Sequence, residues 1–391
     1  MIDELLSKSK KVFFDTYNRI PIEISHGEGV HLYDKSGVRY LDMFSGLGVN
    51  ALGYSHPKII EAVSNQISKY AHLSNNYFSE IQLEFAEKLL KYSNMEKVCL
   101  TNSGTESIEA AIKLIRLHHG PNKKIFSLTN SFHGRTYAAM TLTGKQKYKS
   151  GFEPLLPNIY QLQFNNIDEL INSIDENTAA IFVEFIQGEG GINEVDKEFV
   201  ESLLKLRSQY NFFIVSDCIQ CGTGRTGQPY SHNYFNFIPD IIVTAKAIGG
   251  GLPLGAMMIK NQFNDIFSIG QHGTTFGGNP ISCAAGKIVI EEVYENGLIE
   301  IVKENGNYFY EQLNIIKSKY SDSIKEVRGR GLMLGVELTF PGSSIIKKLR
   351  EKNILSNCTN ENVIRLLPPL IIQKNEIDFF LYSFEEILKV L

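Results

Sequence analysis

From about residue 98 to residue 260, short apolar runs alternate with segments of helical period. Five runs carry the pattern: "KVCLT", "KIFSLT", "AAIFVEF", "FFIVSD" and "DIIVTAK". Each is rich in β-branched or aromatic residues and ends in a polar residue or loop, which predicts buried strands. Between them, "KEFVESLLKLRSQY" sets Phe199, Leu203 and Leu206 at helical spacing. Strands separated by amphipathic helices predict a largely parallel sheet in an α/β fold. Further on, "NPISCAAGKIVIEEVYENG" reads as one long helix, with Asn279 as cap, Pro280 in the first turn and Gly297 at its end. It leads into a second unit running from "VRGRGLMLGVEL" to the C-terminus, where "ENVIRLLPPLII" predicts another strand and loop.

Charge and cysteine usage narrow the classes. Lys+Arg 39 against Asp+Glu 43 gives a net charge of −4, which favours neither nucleic acid nor a membrane surface. No apolar run approaches the roughly 18 residues that span a bilayer. The opening "MIDELLSKSKKVFFDTYNRIP" has neither a secretory h-region nor the Arg-rich character of a transit peptide, so a cytoplasmic setting is expected. Cys99, Cys218, Cys221, Cys283 and Cys358 are odd in number and scattered, as reduced thiols would be. Cys218 and Cys221 form a C-x-x-C within "SDCIQCGTGRTG". A zinc site would need about two more ligands nearby, and a redox dithiol should open a helix rather than a glycine-rich loop. Packing thiols and no metal are expected. The "KQKYK" run at 145–149 reads as a solvated loop.

Ligands of an open parallel sheet sit at the carboxyl ends of its strands. Three predicted ends carry charge: Glu184, Asp217 and Lys246. Lys246 lies between a nearly apolar strand and the backbone-rich "AIGGGLPLGA", a setting that desolvates an ammonium and favours the reactive neutral amine. In "VCLTNSGTESIEAAIKLIRLHHG" a strand runs into Ser103, Gly104 and Thr105 and then a helix. Ser103 and Glu106 have capping-box spacing, and the same helix start offers hydroxyls, free N–H groups and the positive dipole end to a phosphate. No Gly-Lys-Ser/Thr follows, so this is not a nucleoside-triphosphate loop. A phosphate cradle, a reactive lysine, a buried carboxylate and an aromatic face at Phe132 are together what pyridoxal phosphate requires.

The blocks "YLDMFSGLGVNALGYSHP", "TNSGTESIEAAIKLIR", "SFHGRTYAAMTLTG", "VEFIQGEGG", "SDCIQCGTGRTG", "DIIVTAKAIGGGLPLGA", "HGTTFGGNP" and "VRGRGLMLGVEL" occur in this order. With them the chain resembles the class III (fold type I) pyridoxal-phosphate aminotransferases from about residue 20 to its end. The resemblance implies an α/β large domain at 46–285, with a mostly parallel seven-stranded sheet flanked by helices. It also implies a smaller α+β domain at 286–391, with an N-terminal segment, 1–45, packed against it. Carried over residue by residue, Lys246 forms the Schiff base and moves the proton, and Asp217 pairs with the pyridine nitrogen. Gln220 reaches the phenolic oxygen, Ser103, Gly104 and Thr105 hold the phosphate, and Phe132 stacks on the ring. The "HGTTFGGNP" loop implies a homodimer, with Thr275 at the partner's phosphate and Thr274 near the substrate. Arg135 and Arg365 match the carboxylate-binding arginines.

The implied reaction moves an amino group from a donor to 2-oxoglutarate, giving glutamate. Leu47 stands where ornithine aminotransferases carry a tyrosine that recognises a free α-amino group. This favours an N-acylated donor such as N-acetylornithine, in arginine biosynthesis, over N-succinylornithine, ornithine or 4-aminobutyrate. An aminomutase of the same fold would not need two carboxylate arginines. Two departures stand out. Cys218 replaces a glutamate and is expected to leave Arg365 without its neutralising partner, and Phe185 replaces a proline.

Overall fold

The computed structural model describes residues 2–263 and 265–390. Its main sheet comprises β1 (Lys97–Thr101), β2 (Lys124–Leu128), β3 (Ile159–Leu162), β4 (Thr178–Val183), β5 (Phe213–Asp217), β6 (Ile241–Ala245) and β7 (Gly255–Ile259). They lie in the order β1-β7-β6-β5-β4-β2-β3. β7 runs antiparallel to β6 and β1, and the remaining pairings are parallel. The five apolar runs supply five of these strands. Every residue of β4, β5 and β6 is buried, so they read as continuous apolar stretches. The other two strands were not anticipated. β3 is a half-exposed edge, and β7 is "GAMMI", whose Gly and Ala have weak strand preference.

Side chains of the central strands alternate between two cores. Phe213, Val215 and Val243 pack with Ile108, Ile112 and Ile115 of helix Gly104–His119. Ile214, Ile181 and Val183 pack on the other face with Phe199 and Leu203 of helix Lys197–Tyr210.

The expected long helix after Asn279 is a shorter one with a different ending. Asn279 caps it through Oδ1, which accepts the Ile281 N–H at 3.0 Å, but α-helix continues only over Pro280–Ile290. A π-helical turn, Glu291–Glu295, follows, and Gly297, at φ 80°, starts helix Leu298–Lys319. The wider turn keeps Val293 buried while Glu291 and Glu295 both reach Lys88.

Two four-stranded sheets and a two-stranded ribbon, Ile186–Gln187 with Asn193–Glu194, are the other sheets among the described residues. Strands Ile24–Glu28, His31–Asp34 and Arg39–Asp42 are joined in one sheet by Ile354–Leu355. Strands Ile324–Arg330, Met333–Leu338, Val363–Leu366 and Asn357–Thr359 form an antiparallel sheet. Among the described residues no helix is long and apolar enough to cross a membrane.

Candidate active site

A cavity of about 610 Å³ opens at the carboxyl ends of β1, β4, β5 and β6. Lys246 follows β6 directly and has φ 53°, a left-handed backbone costing a non-glycine residue about 1–3 kcal/mol. That strain turns the lysine into the cavity rather than onward along the strand. Burial, and then Arg365, lower its pKa against the opposing pull of Glu189, Asp217 and Glu184, which favours the neutral amine.

Asp217 ends β5 and is buried. Its Oδ2 shares a hydrogen bond with His133 Nδ1 at 2.7 Å, and its Oδ1 accepts the Ile219 N–H at 3.0 Å. Gln220 lines the cavity beside it, and its Oε1 accepts from Arg365 Nη1 at 3.2 Å. That bond fixes the amide orientation and leaves Nε2 to donate to an acceptor in the cavity.

Opposite lies the start of helix Gly104–His119. Ser103 is its cap, Oγ accepting the Glu106 N–H at 3.4 Å. The reciprocal half of the expected capping box closes one residue earlier, because Glu106 Oε2 accepts the Asn102 N–H at 2.6 Å. The first N–H groups of the helix, at Gly104 and Thr105, have no partner one turn back and are available to an anion. A Cβ at Gly104 would lie 2.6 Å from Ile219, and one at Gly188 would lie 2.2 Å from Gln220 Oε1. Backbone thus approaches the cavity where side chains would close it, and Phe132 supplies an aromatic wall. Pyridoxal phosphate fits this donor set: Ser103, Gly104 and Thr105 for phosphate, Lys246 for the aldehyde, Asp217 for the ring nitrogen and Gln220 for the phenolic oxygen.

Arg365 corrects one expectation. It is buried one layer behind the cavity wall on strand Val363–Leu366, and its Nη1 pairs with Glu189. Asn357 Oδ1 accepts from its Nε at 3.2 Å. Arg365 therefore has its neutralising carboxylate, and the residue at 218 is not the one that would provide it. Burial raises the Glu189 pKa, but Arg365 and the nearby Lys246 and Lys145 outweigh it and hold the carboxyl below its ordinary value. Cys218 points the other way, toward Ser216 Oγ at 3.2 Å and His232 Nδ1 at 3.9 Å. Cys221 lies 3.0 Å from Ser231 Oγ in the same buried cluster. Phe185 is explained by packing: its ring meets Phe235 and Phe237, each at 5.5 Å between centroids.

The "KQKYK" segment is not a solvated loop. Lys149 is buried with Nζ donating to Thr141 O, and Lys145 Nζ donates to the backbone oxygen of Glu189. Leu47 sits in a left-handed turn at φ 69° and does not line the cavity; Val49 and Tyr17 do. Arg135 lines it. Thr274 and Thr275 do not: Thr274 Oγ1 accepts from Asn102 Nδ2 at 3.1 Å, and Thr275 is exposed.

Three further polar groups gather here. His133 backs Asp217, Glu189 pairs with Arg365, and buried Glu184 accepts N–H groups from Phe132 at 2.8 Å and Gly188 at 3.2 Å. Burial raises the Glu184 pKa, with Asp217 adding to it and His133 opposing it. Sequence reasoning marked Glu184 as a strand-end acid but passed over His133 and Glu189, although both lie inside the quoted blocks "SFHGRTY" and "VEFIQGEGG".

Residues 13–388 match the family model for aminotransferase class-III. Acetylornithine aminotransferase of Aquifex aeolicus is 46% identical over 380 residues, 96% of this chain and 99% of that protein. The enzyme of the same name from Methanocaldococcus jannaschii is 41% identical, with 97% and 96% covered. Among solved structures, acetylornithine aminotransferase from Elizabethkingia anophelis superposes with TM-score 0.89 at 30% identity, covering 100% of this chain and 99% of that one. Ornithine aminotransferase from Toxoplasma gondii gives TM-score 0.95 at 27% identity, covering 100% and 95%. A lysine, an aspartate and a phosphate cradle at the ends of a fold type I sheet and a family match over nearly the whole chain lead to one assignment: this protein belongs to the class-III aminotransferases, enzymes that work with pyridoxal phosphate.

Proposed function

We propose that the enzyme transfers the terminal amino group of N-acetylornithine to 2-oxoglutarate, yielding the semialdehyde and glutamate, as a cytoplasmic step of arginine biosynthesis. The observation that carries the reading is the held arginine: Arg365 lies behind the Lys246–Asp217 cavity and is paired with Glu189. The names of the relatives above support the choice of donor.

Bound pyridoxal phosphate supplies an aldehyde and an electron-withdrawing ring. Ser103, Gly104 and Thr105 hold its phosphate, and Asp217, backed by His133, holds a proton at the ring nitrogen. Lys246 Nζ, lining the cavity, would take the proton from the substrate carbon and redeliver it. Arg135 takes the carboxylate far from the reacting carbon. In N-acetylornithine the reacting carbon bears no carboxylate, and Glu189 keeps Arg365 occupied. In glutamate and 2-oxoglutarate it does, and the carboxylate takes Arg365 from Glu189, because two carboxylates cannot share one buried fork without penalty.

Glu189→Gln weakens that competition. The ratio of kcat/KM for glutamate to that for N-acetylornithine is expected to rise about tenfold, the equivalent of one charge-assisted hydrogen bond. An unchanged ratio in steady-state assays removes Glu189 from selection between the substrates. The donor itself is tested by single-turnover half-reactions of the holoenzyme with N-acetylornithine, N-succinylornithine, ornithine and 4-aminobutyrate. N-acetylornithine is expected to be fastest; faster conversion of any other donor overturns this choice.

We also propose a homodimer. Phe14, Phe78 and Ile269 are 91%, 95% and 108% exposed, apolar side chains that a partner subunit could cover. Thr275 and Phe276 are exposed in the same loop as Ile269, and none of the three lines the Lys246 cavity. Thr275 is assigned to the partner's phosphate and Thr274 to the substrate region. The working units are proposed as an N-terminal segment at 1–45, a cofactor domain at 46–285 and a small domain at 286–391.

A further inference from the structure

The segment 145–149 has a role that its charge conceals. Gln146–Tyr148 is a single 3-10 turn that brings the half-buried Tyr148 against the cavity wall. The guanidinium carbon of Arg135 lies 3.9 Å from the centroid of the Tyr148 ring. Tyr148 in turn meets Phe132 edge to face, at 5.5 Å between centroids and 82° between planes. The Arg135 backbone is tied as well, its N–H donating to Thr105 Oγ1 at 3.3 Å. Beside the cavity His133 is hydrogen-bonded to Asp217 and Glu189 is paired with Arg365, and Arg135 belongs to neither contact. Lys147 Nζ lies 5.1 Å from the same Tyr148 ring, adding a second positive charge there.

A guanidinium lying on an aromatic face keeps its in-plane N–H fork free, and that fork matches a carboxylate in two-point geometry. An exposed arginine without such a platform samples many rotamers and loses that freedom on binding. We propose that Tyr148 is the positioning residue for Arg135, and that its ring sets the preference of the enzyme for acceptors with a second, distal carboxylate. The inference rests on the carboxylate role of Arg135 proposed above. It assigns the effect to the ring and not to the hydroxyl. It also names the ligand class: a dicarboxylate 2-oxo acid gains from Tyr148, and a monocarboxylate one such as pyruvate does not.

The test compares holoenzyme variants by kcat/KM for 2-oxoglutarate and for pyruvate with a common amino donor, alongside the Schiff-base absorbance of Lys246 as a check that the cofactor is bound. Tyr148→Leu is expected to lower the 2-oxoglutarate to pyruvate ratio about tenfold, through KM for 2-oxoglutarate, within the range of a cation–π contact. Tyr148→Phe is expected to keep the ratio within about twofold, since the ring remains. Phenylalanine analogues of increasing fluorination at 148 preserve shape while draining the ring of negative charge, so KM for 2-oxoglutarate should climb stepwise along the series. This series decides the matter if the leucine variant folds poorly. An unchanged ratio in Tyr148→Leu, equal losses with both acceptors, or a flat fluorination series overturns the proposal. Arg135→Gln separates the two levels. If it lowers the ratio while the Tyr148 variants do not, the Tyr148 inference fails alone; if it leaves the ratio intact, the assignment of Arg135 fails and the inference with it.

Discussion

Lys246→Ala is expected to cost at least about ten-thousand-fold in turnover, because one side chain is proposed as both the covalent anchor and the proton carrier. The lysine is held for this purpose by three independent features. Its position after β6 sets it at the carboxyl edge of the sheet, its left-handed φ of 53° aims it inward, and burial lowers its pKa. Alanine keeps the backbone strain and removes only the amine, so the fold should survive with little change in Tm. Two measurements check the expectation: loss of the Schiff-base absorbance, and partial recovery of the substrate-carbon proton transfer when a small amine is added to the variant. Sustained multiple turnover without added amine would falsify the role. Recovery by a small amine also distinguishes lost chemistry from lost structure, since no soluble amine repairs a collapsed cavity.

The placing of Lys246 and Asp217 at strand ends was legible because its signals are local. A strand buried on both faces reads as an unbroken apolar run, and a charge at its end stands out, as Asp217 and Lys246 do. The edge strand β3 and the Gly-Ala-Met strand β7 are strands by virtue of their neighbours, and their own residues do not announce it. Partners far apart in sequence were illegible for the same reason. Glu189 and Arg365 are separated by 176 positions, and His133 and Asp217 by 84. The antiparallel sheet brings Arg365 to Glu189, and the neighbouring order of β2, β4 and β5 in the main sheet brings His133 near Asp217.

The misreading of Cys218 is more instructive, because strand alternation argues against it. Asp217 faces the cavity, so its neighbour at 218 must face the opposite core, where Ser216 Oγ and His232 lie. A side chain there has no line to Arg365, whatever its charge. The basic run 145–149 misled in a different way. Lysines ordinarily keep their charge in water, but their stems pack readily, and Lys149 is buried to its amine. The informative residue of that run is its aromatic one.

Asp217→Ala should be the second most damaging change, and its comparison with Asp217→Asn separates two functions of one carboxylate. The charge of Asp217 is proposed to hold a proton at the cofactor's ring nitrogen, an electrostatic term whose loss costs about a hundred- to thousandfold in kcat. Its two oxygens also bind the protein, Oδ2 with His133 Nδ1 at 2.7 Å and Oδ1 with the Ile219 N–H at 3.0 Å. Alanine removes both functions. His133 Nε2 is already buried without a partner, so the alanine variant leaves the whole imidazole unpaired and should lose about 1–3 kcal/mol of stability. Asparagine keeps both hydrogen bonds without the charge when its Oδ1 accepts the Ile219 N–H and its Nδ2 donates to an unprotonated His133 Nδ1. The expected pattern is therefore split: Asp217→Asn melts near the parent temperature while Asp217→Ala melts lower, yet both turn over at a similarly small fraction of the parent rate with cofactor saturating. Should Asp217→Asn keep more than about a tenth of parent kcat, the carboxylate acts by shape and not by charge, and the protonated ring nitrogen must be secured by another group.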